Sequence, residues 1–210
     1  ALGRGWIQKS LEEVMPDFNN LMDQALRADP NDFELHRILC GISTMTGKFK
    51  AALEHGKKAY DMVPNDPRIL QQYGEILLKT GKTKLGCDLT LLALEYDPVA
   101  QGQTNSDKRK SDAVFGCLMD DRGELGLELA EEIEVCAENT LLFAAALSVA
   151  MHGSLGSYTW LVNDLRKANF EGIQAAIEEM GKYDVVVQST LREVFLDHIT
   201  KLQPNLKLVS

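Results

Sequence analysis

"YDMVPNDPRILQQYGEILLKTGKTK", residues 60–84, holds two features that point to different kinds of protein. "GKT" at 81–83 is the tail of a phosphate-binding loop. "PND" at 64–66 repeats a phrase already present at 30–32. A phosphate loop needs G-x-x-x-x-G-K-[ST] between a strand and a helix, so that backbone N–H groups wrap the phosphates. Position 76 is Ile rather than Gly, and "ILQQYGEILLKT" has the apolar spacing of a helix. The repeated "PND" therefore decides the reading, and Gly81 is expected to be a turn.

Working outward, Pro30, Pro64 and Pro98 lie 34 residues apart. Ala25, Ala59 and Ala93 keep the same step, as do Gly47 and Gly81, and Leu39 and Tyr73. Each has a physical job. Proline lacks an N–H and disfavours the helical conformation before it, so it closes a helix. Asn-Asp after it offers a cap for the next helix. Glycine permits a left-handed turn between two helices, and small alanines let those helices approach. Leu35, Ile38, Leu39 and Ile42, then Leu70, Tyr73 and Leu77, recur at helical spacing. Residues 33–98 are two helix–turn–helix units, and 9–30 supplies at least the second helix of an earlier one.

This pattern resembles the tetratricopeptide repeat family. The second unit matches at Leu70, Tyr73, Gly74, Leu77, Gly81, Ala93 and Pro98; the first at Leu39, Gly47, Phe49, Ala52, Ala59 and Pro64. His36, Gly56 and Gly86 depart from it. The resemblance implies an all-α solenoid of antiparallel helix pairs winding as a right-handed superhelix. The expected organisation is repeats over 1–98 (units of about 1–32, 33–66 and 67–100), a polar connection over 99–112, and a degenerate helical continuation over 113–210. In that irregular half, Gly123 reads as a turn, Asn139 as a helix cap and Gly153 as a helix stop. Val185–Val187 is β-branched, yet a single strand has no partner, so it reads as helix.

The chain has 210 residues, 45% hydrophobic and 25% charged, with a net charge of −9. An acidic surface repels nucleic acid and anionic membrane. There is no apolar run long enough to span a bilayer. Cys40, Cys87, Cys117 and Cys136 lack a CxxC spacing, so they read as buried thiols in a cytoplasmic, reducing setting. "DKRK" at 107–110 reads as a solvated run. His36, His55, His152 and His198 form no two-ligand helical spacing, so no metal or cofactor is expected.

In the resembled family a partner lies against the first helix of each unit. The corresponding exposed positions are Glu34, Arg37, Gly41, Thr44 and Met45, then Arg68, Gln71, Glu75, Leu78 and Lys79. The resemblance implies a non-catalytic scaffold holding a protein or peptide segment. Members that grip a C-terminal carboxylate use lysine and asparagine where this chain has Arg37 and Gln71, then Gly41 and Glu75; the negative Glu75 argues against that ligand. A second resemblance is to tetratricopeptide arrays attached to bacterial adenylate cyclases and winged-helix regulators, carried by "DPNDFELHRILCGI" and "ALEHGKKAYDMVPNDPRILQQYGEILLKTGK". It implies a regulatory domain of a larger signalling protein, or a paralogue. The third reading is an enzyme whose groups meet only in three dimensions, near His152 and Trp160.

Overall fold

A computed structural model describes residues 11–99 and 102–202; Trp6 lies outside them. Among the described residues the regular structure is helical: α1 (Leu11–Ala28), α2 (Phe33–Met45), α3 (Phe49–Met62), α4 (Pro67–Lys79), α5 (Thr83–Tyr96), α6 (Gln103–Met119), α7 (Gly123–Glu131), α8 (Glu138–His152), α9 (Thr159–Leu165), α10 (Phe170–Met180) and α11 (Val185–Val194). A π-helical turn at Phe195–Ile199 and a 3-10 turn at Thr200–Leu202 follow. The chain divides into two compact units, 1–64 and 65–210.

The first unit is built around the α2–α3 pair. Asp32 caps α2 by accepting from the N–H groups of Glu34 (2.9 Å) and Leu35 (3.1 Å). Gly47 turns the chain at φ 71°, and the Lys48 N–H closes the turn on the Ser43 carbonyl at 2.8 Å. Ala52 and Ala59 on α3 are fully buried. His36, at a position where the repeat pattern favours a large aromatic residue, is buried. Its Nδ1 lies 2.8 Å from Nδ1 of His55 and its Nε2 lies 3.1 Å from the Pro30 carbonyl.

The second unit starts the same way. Asp66 caps α4 by accepting from the Arg68 N–H (2.8 Å), and Pro67 fills the first helical position, where no N–H is needed. Gly81 turns at φ 80°, with the Lys82 N–H on the Leu77 carbonyl at 2.9 Å. So "GKT" is the turn inside a helix pair. The same device recurs between α6 and α7, where the Arg122 N–H reaches the Cys117 carbonyl at 2.9 Å. There the left-handed residue is Asp121 at φ 56°, not Gly123, which begins α7. Aspartate is among the few side chains that tolerate that backbone state.

Gly74 and Gly86 set the α4–α5 distance. A Cβ on Gly86 would lie 2.9 Å from the Gly74 carbonyl oxygen, and one on Gly74 would lie 3.0 Å from the Gly86 oxygen. The glycine that breaks the repeat pattern at 86 thus permits backbone-to-backbone contact. The α6 backbone runs just as close to α5, since a Cβ on Gly116 would lie 3.1 Å from Cys87 Cα. Packing is therefore continuous from α4 through α6.

Residues 103–112, expected as a polar connection, form the first turns of α6. Three of their polar side chains, Ser106, Asp107 and Arg109, are buried on fixed partners, which hydropathy alone does not register. Ser106 Oγ donates to the Pro98 carbonyl at 3.0 Å, and Asp107 accepts from the Val135 N–H at 3.2 Å. Arg109, 4% exposed, donates to the Asp97 carbonyl at 2.6 Å and pairs with its carboxylate at 2.9 Å. Asn139 sits inside the first turn of α8 rather than at its cap, which is Ala137; Gly153 does stop α8, at φ 68°. The Val185–Val187 run is helical, because Asp184 caps it through the N–H groups of Val186 and Val187.

One core runs through the second unit. It links Leu78 and Cys87 to Leu127, Leu142 and Phe143, then to Leu161, Ile173, Leu191 and Ile199. Cys87 and Cys117, both fully buried, hydrogen-bond thiol to thiol within it. Burial, reinforced by Asp164, holds the Cys136 thiol up at about 12, where it is inert at neutral pH.

Candidate partner-binding cleft

The two sets of sequence-predicted residues are found in different units. In the first, Glu34 and Arg37 pair with each other, one turn apart on α2, with Arg37 Nε 3.0 Å from Glu34 Oε2. Met45 is 80% exposed, and Gly41 is part-buried. Thr44 is a correction: it is buried, and its hydroxyl donates to the Cys40 carbonyl one turn back, at 2.9 Å.

In the second unit, Arg68 is exposed and folds back onto its own helix cap, Asp66, at 2.6 Å. Leu78 is the other correction. It is 1% exposed and belongs to the core, because position 78 faces Gly86 of the second helix. Gln71, Glu75 and Lys79 are brought together on one face of α4. Glu75 and Lys79 line an open cleft whose other walls come from α6, α8, α10 and the turn before α11, and Gln71 stands behind them, bonded to the lining residue Asp112. The cleft is shallow and open to solvent.

Its walls carry two ion pairs. Lys79 Nζ lies 2.7 Å from Glu75 Oε1 on α4, and Lys108 Nζ lies 2.8 Å from Asp112 Oδ2 on α6. Gln71 ties the helices together: its amide donates to Asp112 Oδ2 at 2.6 Å and its oxygen accepts from Arg109 Nε at 3.2 Å. Lys79 also sits over the Tyr183 ring, 4.7 Å from the centroid, and the Tyr183 hydroxyl donates to Glu179 at 2.9 Å. The floor is apolar. Phe115 and Phe143 meet there with ring centroids 5.2 Å apart, beside Met180.

The ionisation states follow from this packing. Burial favours a neutral Glu75, but the charges of Lys79 and Lys108 outweigh it and hold the carboxyl below its ordinary range. Burial likewise works against the Lys79 ammonium, and Glu75 more than offsets it, so Lys79 titrates above its usual value. Burial raises Asp112, and the nearby Glu75 charge adds to that rise against the pull of Lys108. Burial raises Tyr183 too, which keeps it a neutral hydroxyl donor. At neutral pH Lys79 is thus a fixed cation and Tyr183 a fixed neutral donor.

The sequence does not mark Lys108, Ser111, Asp112, Phe115, Asn139 and Tyr183 as residues of a cleft. Counting back from the left-handed turn residue finds several of them. Arg68, Gln71 and Glu75 lie 13, 10 and 6 residues before Gly81, and Lys108, Ser111 and Phe115 lie 13, 10 and 6 before Asp121. The 34-residue step does not reach them because the turn of the α6–α7 pair falls 40 residues after Gly81 and carries Asp rather than Gly. Near the expected alternative centre, His152 Nε2 lies 3.4 Å from the Tyr158 hydroxyl at the exposed end of α8, while Trp160 packs against the core.

Among the described residues, no group of three or more His, Cys, Asp and Glu side chains is arranged to hold a metal ion. No described helix is long and apolar enough to cross a membrane.

These helix pairs, with their recurring caps and turns, define a tetratricopeptide-like helical-repeat fold. No family model matches the chain, and comparison with curated proteins yields no match. Among solved structures, the chain is similar to PilF of Pseudomonas aeruginosa, from work titled "Functional Characterization of Pseudomonas Aeruginosa pilF". The likeness has a TM-score of 0.55 at 16% identity, and it covers 92% of this chain and 88% of that one. At that identity the likeness concerns the fold.

Proposed function

We propose that the protein is a non-catalytic scaffold that holds a polypeptide segment against the first helices of its helix pairs. The observation that carries this is the cleft itself. Glu75 and Lys79, chosen from the repeat register, converge there with residues of α6, α8 and α10 over an aromatic floor, and Gln71 braces the wall through Asp112. Mixed charge above apolar surface suits a peptide, which brings side chains to bury and amides to hydrogen-bond. A lysine held as a cation and a tyrosine held neutral are suited to binding, since neither is tuned to exchange protons at neutral pH. The acidic charge of the chain supports a protein partner over nucleic acid.

The test exchanges one ion pair. Glu75→Lys with Lys79→Glu keeps an i,i+4 pair on α4 while reversing its polarity. Affinity capture with this variant is expected to lose the partners retained by the wild type while the helical circular dichroism signal is retained; the melting temperature falls, because a lysine at position 75 then meets Lys108 and a glutamate at position 79 meets Glu179. An unchanged partner set removes the cleft from binding.

A further inference from the structure

We propose that the cleft receives the lysine or arginine side chain of the bound polypeptide, with the alkyl stem on Phe115 and Phe143 and the cationic head toward Glu179. This rests on the polypeptide-binding reading above and names the residue type that anchors it. Two observations, one for the charged head and one for the stem, fit such a side chain.

The first is the charge count. The lining holds three carboxylates, Glu75, Asp112 and Glu179, and one ammonium, Lys79, with Lys108 reaching Asp112 from the rim. Glu75 is matched by Lys79 and Asp112 by Lys108. Glu179, which is exposed, takes one hydrogen bond from Tyr183 and no ion pair within 4.0 Å from a described residue, leaving a carboxylate beside the apolar floor. A guest cation neutralises that charge, and an anionic guest adds to it.

The second is the floor. Phe115 and Phe143, each 7% exposed, are tilted 33° to one another. They give the cleft apolar surface that covers the aliphatic stem of a lysine or arginine side chain, whose charged head then reaches Glu179. A purely apolar guest uses only the floor.

A free diamine offers the same alkyl-cation chemistry, but the rim favours a polypeptide. Asn139 is exposed on the cleft wall, and its Oδ1 is engaged by the Thr140 N–H at 2.9 Å. Its NH2 is not engaged by a described residue, and a peptide carbonyl supplies the acceptor that a diamine lacks.

The experiment is an NMR titration of the full chain, following cleft amides such as Asn139 and Gly181. The probes are four N-acetyl, N′-methylamide amino acids (arginine, lysine, norleucine and glutamate) and free 1,5-diaminopentane. Arginine and lysine are expected to shift these amides saturably, about fivefold more tightly than norleucine, with glutamate producing no saturable shift. Glu179→Gln, which keeps an acceptor for Tyr183, is expected to abolish that advantage and leave norleucine unchanged. Norleucine equal to arginine overturns the cationic anchor while leaving polypeptide capture intact, since capture is read by the ion-pair exchange. Diaminopentane binding more tightly than the lysine probe overturns the polypeptide source. No shift with any probe overturns the inference as a whole.

Discussion

Replacing Gly86 by alanine should destabilise the second unit, although alanine is the better helix former. Gly86 lies inside α5, where alanine alone would contribute about 1 kcal/mol over glycine. The new methyl carbon, however, would stand 2.7 Å from Leu78 Cγ, 2.9 Å from the Gly74 oxygen and 2.9 Å from the Leu78 nitrogen. Two of these atoms are backbone and cannot rotate away. Restoring ordinary contact means moving α4 and α5 apart by about half an ångström, which loosens the packing around buried Cys87 and Thr90. Overpacking of this kind costs about 3 kcal/mol. The net expectation is a loss of about 2 kcal/mol, or about 4–8 °C in melting temperature for a chain of this size. Gly172→Ala is the control, because its new methyl meets only the Glu138 side chain, at 3.0 Å from Cγ, and that chain can swing aside. It should be neutral, or stabilise by up to about 1 kcal/mol. Both variants are read by urea and thermal unfolding with circular dichroism. If Gly86→Ala unfolds at or above the wild-type midpoint, the close helix approach is wrong.

Two further outcomes follow from the turns and the histidine pair. Asp121→Gly should raise stability by about 0.5–1 kcal/mol in urea unfolding, because aspartate is held at φ 56° where glycine fits without strain, while Gly81→Ala at φ 80° should lower it by about 1–2 kcal/mol. Burial, with help from His36 and Lys58, lowers the folded His55 value below 6.5. Below pH 6.5 the unfolded chain therefore takes up a proton that the folded chain resists. The associated stability is present above pH 6.5 and fades as pH falls toward the folded value. Amide exchange in α2 and α3 should accelerate from pH 7.5 to 5.5, after correction for intrinsic rates, and His55→Gln should flatten that change. A separate acid window belongs to Asp66. Its carboxyl is held low by Arg68 against the effect of burial, so its contribution persists above the usual carboxylate value and is lost only below it.

What the sequence revealed was what each residue type enforces locally. Proline and glycine act through their own backbones, so Pro64, Pro98, Gly47 and Gly81 located the ends of α2 through α5 without any knowledge of packing. Asp32 and Asp66 were legible as caps for the same reason. Polarity was a poorer guide wherever polar groups turn inward. Arg109 and Asp107 look solvated in a string of letters, and they are buried because Asp97 and the Val135 N–H receive them. Thr44 satisfies its hydroxyl on its own helix, which lets it leave the surface. The cleft was half legible. Its α4 wall follows from the repeat register, whereas Asp112, Asn139 and Tyr183 reach it only through packing among α6, α8 and α10 that no local rule encodes.

The most direct test of polypeptide capture places a photo-crosslinking phenylalanine analogue at Asn139 on the cleft wall, and separately at Leu125, exposed on α7. On irradiation in cells, the residue 139 adduct should attach to a discrete partner polypeptide, and mass spectrometry should map the junction to a segment carrying lysine or arginine. The residue 125 adduct should not attach to that partner. Equal crosslinking at both positions, or none at 139, would contradict the account.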